Sequence, residues 1–337
     1  MDFVFPKNKI NHYGVIKNHV VGKPRLIDKL SPKDNLITID QIDYYFTYFH
    51  DKGKAKGGNS IILKLYDSQR IDDENVEYDD PDLVLKILKN KISTNPEFPE
   101  KSELRFKKEI DALKTCKSKS FQNVISIFNS GTCGIYSTKE KKYEEYLYYT
   151  MEYANWDLKS YVENTPNLSL QEKISLCLSI SEGIKELVSL DYYHRDIKPD
   201  NIFIVDGEWK IADLGLISER NEDPIIDYEN EFVGPKGWLS PEAMNKFLCE
   251  GKDFSFHFDC NIDHQSDIFQ LGRVFCYILQ NNNPVGIFKQ KDLFIDNSYL
   301  YQIVRTMLNY PKSRRYKKIE EVIKLLKVVD SSLIKVK

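Results

Sequence analysis

The chain has 337 residues, with 48 Lys and Arg against 51 Asp and Glu and a formal net charge of −3. At about 150 residues per domain this length holds about two domains or one large bilobal unit. With 41% hydrophobic and 12% aromatic residues the chain can build a sizeable core, which excludes wholesale disorder, and the near-neutral charge excludes a protein that coats nucleic acid. The six cysteines, Cys116, Cys133, Cys177, Cys249, Cys260 and Cys276, are too widely spread for a disulfide framework and fit a reducing compartment. The opening residues MDFVFPKNKINHYG lack the basic and apolar regions of a signal peptide, and no apolar run approaches the roughly 20 residues that span a bilayer. A cytoplasmic protein with no membrane span and no nucleic-acid partner is expected.

In chain order, residues 1 to about 40 are polar and irregular, with Pro6, Pro24 and Pro32 breaking any long element. From Asp43 to Leu88 the runs YYFTYF, SIILKLY and DLVLKIL, rich in aromatic and branched residues, predict strands. GKAKGG (53–58) and the acidic loop DSQRIDDENVEYDD (67–80) separate them. KSELRFKKEIDALKT (101–115) places Leu104, Ile110 and Leu113 near helical spacing. Two more strands are predicted in NVISIFNSG and EEYLYYTMEYA. Beyond Asn155 the texture is helical: SLQEKISLCLSISEGIKELVSL (169–190) is amphipathic, SDIFQLGRVFCYILQ (266–280) is apolar nearly all round, and IEEVIKLLKVV (319–329) follows as a third helix. No fixed-period repeat is visible, which removes solenoids and propellers. A mostly β first part followed by a mostly helical second part predicts an α+β fold with two lobes.

Chemistry concentrates after the long helix. His194-Arg195-Asp196-Ile197-Lys198-Pro199-Asp200-Asn201 stands there, and Asp213-Leu214-Gly215 begins twelve residues beyond Asn201. As polar turns these would be solvated surface. Phosphoryl transfer gives a reason for these residue types at this spacing, because it is catalysed largely by positioning and electrostatic stabilisation. One carboxylate must face the attacking hydroxyl, while an amide oxygen and a second carboxylate hold Mg²⁺ across the phosphates. Asp196, Asn201 and Asp213 supply that set.

HRDIKPDN resembles the catalytic loop of eukaryotic-type protein kinases, and other elements of that family fall into register along residues 44–330. The resemblance implies a bilobal α+β protein-kinase-like fold: an N-terminal extension (1–43), a β-rich N-lobe with one regulatory helix (44–153) and a mostly helical C-lobe (154–337). Lys86 in LVLKIL is similar to the third-strand lysine that contacts the α- and β-phosphates, and Glu109 in FKKEIDAL to the helix glutamate that pairs with it. Met151-Glu152-Tyr153-Ala154 resembles the gatekeeper and hinge, and Asp157 the polar contact to the ribose. The implied nucleotide contacts are Ala55, Gly57, Gly58, Ser60, Ile62, Lys86, Met151, Glu152, Ala154, Asp157, Asn201, Phe203 and Asp213. Asp196, Lys198, Lys86 and Glu109 are then the catalytic set, with Asn201 and Asp213 holding the metal. ATP and Mg²⁺ (or Mn²⁺) are the implied cofactors and a protein the implied substrate, with oligomeric state left open. Ser240-Pro241-Glu242 resembles the distal A-P-E signature, Arg314 the arginine that pairs with its glutamate, and Asp267 the buried aspartate that anchors the catalytic loop. Lys198 and the Glu242–Arg314 pair favour a protein substrate over a small molecule.

The pattern departs from the family in places. The best register for the glycine-rich loop, Ala55-Lys56-Gly57-Gly58-Asn59-Ser60-Ile61-Ile62, keeps only the middle glycine, with an extra one beside it, which implies weakened nucleotide binding. Leu214 replaces the phenylalanine of D-F-G but stays large and apolar. Lys198 is the serine/threonine-type residue, whereas Pro235 in GPKGWLSPE, with Trp238 after it, is similar to tyrosine kinases. Residues 216–239 contain no threonine, so Glu231, counted back from SPE, is expected to pair with Arg195 in place of a phosphate. A scaffold with weak or absent nucleotide binding and a tyrosine or dual-specificity kinase are the alternative readings. Cys249, His257, Cys260 and His264 lie in the long stretch between Glu242 and Asp267. Two thiols and two imidazoles suit tetrahedral zinc, although the spacing matches no familiar zinc motif.

Overall fold

The computed structural model describes residues 1–7, 10, 35–48, 59–70, 81–95, 97, 99–220, 226–252 and 258–334. The chain divides into two compact units, Met1–Lys114 with Ser126–Tyr153 and Thr115–Ile125 with Ala154–Lys337.

The first unit is built on β1 (Phe3–Val4), β2 (Leu36–Ile39), β3 (Ile42–Tyr48), β4 (Ser60–Asp67), β5 (Leu83–Leu88), β6 (Ile127–Ser137) and β7 (Lys142–Glu152). They form one seven-stranded sheet in the order β1-β6-β7-β5-β4-β3-β2. Neighbours are antiparallel except β1, which runs parallel to β6. Side chains alternate between the faces. Ile61, Leu63 and Leu65 of β4 lie opposite Ile87, Leu85 and Leu83 of β5 on one face, and Ile62 lies opposite Lys86 on the other. Register therefore decides which residues are core and which are chemistry, since a slip of one residue would bury the lysine among leucines.

The apolar face also holds Phe3, Phe5, Ile10, Ile37 and Ile39. Phe3 meets Tyr148 edge-on at 4.8 Å and Phe5 meets Phe46 at 5.2 Å between ring centroids. The expected irregular N-terminal extension thus contributes two strands and part of the core. Two- and four-residue strands are too short for alternation to register in the sequence. After β5 comes α1 (Lys101–Ser118), whose Phe106, Glu109, Ile110 and Leu113 are buried.

The second unit starts with β8 (Trp156–Asp157), α2 (Leu158–Asn164) and α3 (Leu170–Val188). Ser169 caps α3 in a reciprocal box with Glu172, and Ile174, Cys177, Ile180, Ile184 and Leu187 form its buried stripe. Four short strands follow, β9 (Tyr192–Tyr193), β10 (Ile202–Val205), β11 (Glu208–Ile211) and β12 (Ser218–Glu219). They pair as β11-β10-β8 and β12-β9. The remaining helices are α4 (Pro241–Cys249), α5 (His264–Gln280), α6 (Ser298–Met307) and α7 (Ile319–Ile334). Every residue of α5 from Ser266 to Leu279 is buried, as its continuous apolar run requires. The periodic runs correspond to α3, α5 and α7. Sequence reading passes over α2, α4 and α6, which have seven to ten residues, because so few turns give the helical period little room to repeat. Among the described residues no helix is long and apolar enough to cross a membrane.

Candidate active site

In the first unit the structure brings Lys86 and Glu109 together. Lys86 stands on the face of β5 away from the leucine core, opposite Ile62 and Tyr149. Its Nζ donates to Glu109 Oε1 at 2.7 Å, and the hydroxyl of Tyr149 donates to the same oxygen at 2.9 Å. Both members of the pair are buried, and the Lys86 ammonium lies 5.5 Å from the Tyr149 ring and 6.0 Å from that of Phe106. A buried cation needs this enclosure of carboxylate and π-face, because water no longer solvates it. Met151 lies opposite Val84 and Ile127 at the end of β7, and Glu152 bonds Ser126 twice, through backbone N–H to carbonyl at 3.2 Å and through Oε1 accepting from Ser126 N–H at 2.7 Å. Ser60 is buried opposite Leu88. Ala55, Gly57 and Gly58 lie outside the described residues.

The second unit holds the loop 194–201. Its backbone is tied to α5: Asp267 accepts from the N–H groups of His194 and Arg195, each at 2.8 Å. One turn on, Gln270 accepts from Ile197 N–H at 2.9 Å and donates to the Arg195 carbonyl at 3.2 Å. These bonds hold Arg195 at φ +65°, a left-handed conformation that costs an L-residue roughly 1–2 kcal/mol. Gln270 is absent from the sequence-derived site, yet it has a signal: a glutamine three residues after Asp267 inside an apolar helix. His194 is buried between Ala212 and the loop, with Nε2 3.1 Å from the Ala212 carbonyl and Nδ1 accepting from Asp196 N–H at 3.2 Å. Burial pulls its pKa down to about 4, so it stays neutral.

Asp196, Lys198 and Asn201 converge. Asn201 Nδ2 donates to the Asp196 carbonyl at 3.0 Å and to its Oδ2 at 2.7 Å, and Lys198 Nζ lies 3.0 Å from that oxygen. Burial, with Asp213 nearby, raises the Asp196 pKa to about 6 against the pull of Lys198 and Asn201, so the carboxylate is ionised at neutral pH but only weakly acidic. Asp213 itself sits at φ +59°. Asn201 keeps its Oδ1 without a hydrogen-bond donor among the described residues. That amide oxygen and the Asp213 carboxylate are hard oxygen donors of the kind that hold Mg²⁺ together with substrate phosphates. Phe203 of β10 pairs with Asp157 of β8, and Asp157 Oδ1 caps α2 by accepting from Ser160 N–H at 2.7 Å.

Two expected ion pairs change partner. Arg195 pairs with Asp227, not Glu231, and also donates Nε–H to the Leu216 carbonyl at 2.6 Å. Glu231 instead accepts from Tyr228 N–H at 3.0 Å, closing a local turn. Glu242 pairs with Arg315, not Arg314, at 2.7 and 3.0 Å through both terminal nitrogens. Arg315 also donates to the carbonyls of Asn309, Tyr310 and Gln265 and lies 4.9 Å from the Phe269 ring, whereas Arg314 ends an exposed 3₁₀ turn. Gly234, at φ +121°, passes under the loop where a Cβ would come within 3.1 Å of the Arg195 carbonyl and 2.7 Å of Leu239. Among the described residues no group of three or more His, Cys, Asp or Glu side chains is placed to hold a metal, and His257 of the suggested zinc set lies outside them.

A sheet unit with a buried Lys–Glu pair and a helical unit with an aspartate loop anchored on a buried helix are the two parts of a protein kinase domain. Residues 83–333 match the protein kinase domain family, and the chain belongs to it. Relatives include the mouse dual specificity protein kinase TTK (26% identical over 42% of this chain) and the Caenorhabditis elegans discoidin domain-containing receptor tyrosine kinase B (33% over 42%). The Dictyostelium discoideum serine/threonine-protein kinase pakG is 30% identical over 52% of this chain. The matches cover only 16, 16 and 13% of those proteins' own lengths.

Proposed function

We propose that the chain is an ATP- and Mg²⁺-dependent protein kinase that phosphorylates serine and threonine hydroxyls, with Asp196 as the catalytic base. The observation that carries this reading is the hold on Asp196: its carboxylate is oriented by Asn201 at 2.7 Å and Lys198 at 3.0 Å on a loop bonded to α5. Mg-ATP, its metal held by Asn201 and Asp213, would supply the phosphoryl group and the metal charge that offsets its oxygens. Asp196 orients the substrate hydroxyl and takes its proton. Lys198, beside that carboxylate, stabilises negative charge that builds up as the hydroxyl attacks. Lys86, fixed by Glu109, presents its ammonium to phosphate oxygens.

Pro235 supports a second reading, a tyrosine or dual-specificity kinase, and the relatives' own names divide among these classes. The full chain is incubated with labelled ATP, Mg²⁺ and generic protein substrates beside the Asp196→Ala variant, and the product is resolved by phosphoamino-acid analysis. Phosphoserine or phosphothreonine that vanishes in the variant is the expected result. Phosphotyrosine alone selects the second reading. No transfer and no nucleotide binding by the wild-type chain would defeat both and leave a scaffold.

A further inference from the structure

A cavity of about 320 Å³ opens in the second unit, well away in sequence from the loop 194–201. It is lined by Phe269 and Arg273 of α5, by the segment 282–294, and by Leu308 and Tyr310. Arg273 is 8% exposed, yet no acidic side chain among the described residues pairs with it. Its Nε–H goes to the side-chain oxygen of Asn283, and its two terminal nitrogens find no acceptor among the described residues. Asp292 also lines the cavity and keeps its negative charge while its Oδ2 accepts from the backbone N–H of Lys289 at 2.7 Å, and with Lys291 beside Arg273 the lining is positive by one charge. Those nitrogens are reached by solvent from the cavity, and the partial burial of the side chain pulls the Arg273 pKa below its ordinary value. Around the mouth the preference is inverted: Val285 and Ile287 are each 82% exposed and Phe294 is 76% exposed. A cation facing a cavity whose rim is apolar and exposed complements a ligand that is anionic at its tip and apolar around it.

We propose that this cavity is a docking site for an extended peptide segment of a partner protein in which an Asp or Glu side chain is flanked by large apolar residues. The carboxylate pairs with Arg273, and the flanking side chains cover Val285, Ile287 and Phe294. The volume lies near the lower end of ligand pockets, roughly 300–1,000 Å³, which suits one side chain. A small acid confined to the cavity would leave the rim in water, whereas a peptide running across it would not. The site does not depend on phosphate transfer by the chain.

The test uses the full-length chain against two peptide arrays: heptapeptides with Asp or Glu between Leu, Ile, Phe and Tyr, and the same peptides with Asn or Gln. Acidic peptides are expected to bind at least about tenfold more tightly than their amide counterparts. Arg273→Met removes that discrimination, and Ile287→Ser, a change at a solvent-exposed position, weakens binding to both arrays. Arg273 has no acidic partner among the described residues and loses one side-chain hydrogen bond in the variant, so Arg273→Met should melt within a few degrees of wild type. Failure of the acidic array to bind, equal binding to both, or discrimination that survives in Arg273→Met overturns the proposal. Binding of decanoate or phenylacetate without any peptide binding does so too, as does a fall of several degrees in the Arg273→Met melting temperature, which would make Arg273 a structural brace.

Discussion

In the first unit Lys86 and Glu109 hold one another as side chains, whereas in the second the side chains of Asp267 and Gln270 hold the backbone of the loop 194–201. Lys86 and Glu109 come from a strand and a helix and meet ion to ion, and the Tyr149 hydroxyl donates to the same oxygen. The loop 194–201 instead hangs on Asp267 and Gln270, whose partners are main-chain N–H and carbonyl groups. The difference teaches what each arrangement allows. A side-chain pair can be replaced as a pair, because both members are encoded. A backbone donor is removed only by proline, whose fixed negative φ the left-handed Arg195 does not allow, so the side chain that satisfies it has no ready second-site substitute.

The largest effect is expected where backbone donors lose their acceptor. Asp267→Ala leaves two buried N–H groups unsatisfied and releases the strained Arg195, which should cost the second unit roughly 2–6 kcal/mol and abolish activity with it. Urea unfolding followed by calorimetry would read this, and a loss below 1 kcal/mol would mean that the loop is held elsewhere. In the first unit Glu109→Leu alone should cost about 3–5 kcal/mol by stranding Lys86, while the triple change Lys86→Met, Glu109→Leu, Tyr149→Phe returns stability to wild type or above with activity still lost. If the triple variant is no more stable than Glu109→Leu, the stranded Lys86 charge is not what makes that variant unstable.

His194 sharpens the same contrast through pH. Its pKa is about 4 in the fold, lowered by burial, against about 6.5 when unfolded. The unfolded chain therefore binds the proton first, and the stability His194 contributes is present above pH 6.5 and lost as pH falls toward 4. Asp196 and Asp267, raised by burial to about 6 and about 7, run the other way, each favouring the fold as pH falls. Comparison with His194→Gln isolates the histidine. The stability difference between wild type and variant should shift against wild type by about 2 kcal/mol between pH 7 and pH 5. An unchanged difference would mean that the imidazole is protonated at little cost in the fold.

What the sequence made legible follows the same division. The loop 194–201 is contiguous, so its residue types and spacing survive without any knowledge of the fold. Lys86 and Glu109 lie 23 residues apart and become readable only through their order ahead of that loop. Arg314 and Arg315 are adjacent, and which of them turns inward depends on where the 3₁₀ turn ends: Arg315 is the extended residue just past it, and it meets Glu242. The strands at Phe3–Val4 and Leu36–Ile39 were hidden by shortness. Gln270 was visible as a polar residue in an apolar helix, but its carbonyl and N–H partners were not, because main-chain groups carry no sequence signal.

Asp227 is the subtlest case, and the smallest effect is expected there. Counting back from SPE selects Glu231 because it assumes a constant segment length, yet Arg195 turns to Asp227, while Glu231 is already engaged by the N–H of Tyr228. The Arg195–Asp227 pair ties residue 227 to the loop that carries Asp196, with the Leu216 carbonyl on the same guanidinium. A carboxylate has less charge and fewer acceptors than a phosphate, so the tether is weaker than a phosphorylated one but needs no prior modification. Asp227→Asn should therefore lower the initial rate of fully dephosphorylated protein on the order of tenfold, through loss of a charge-assisted bond. Glu231→Gln, which keeps an oxygen acceptor for the Tyr228 N–H, should change it less than about twofold. The reverse ranking would restore Glu231 as the partner, and a dephosphorylated wild type without activity would mean that neither carboxylate suffices to hold the segment.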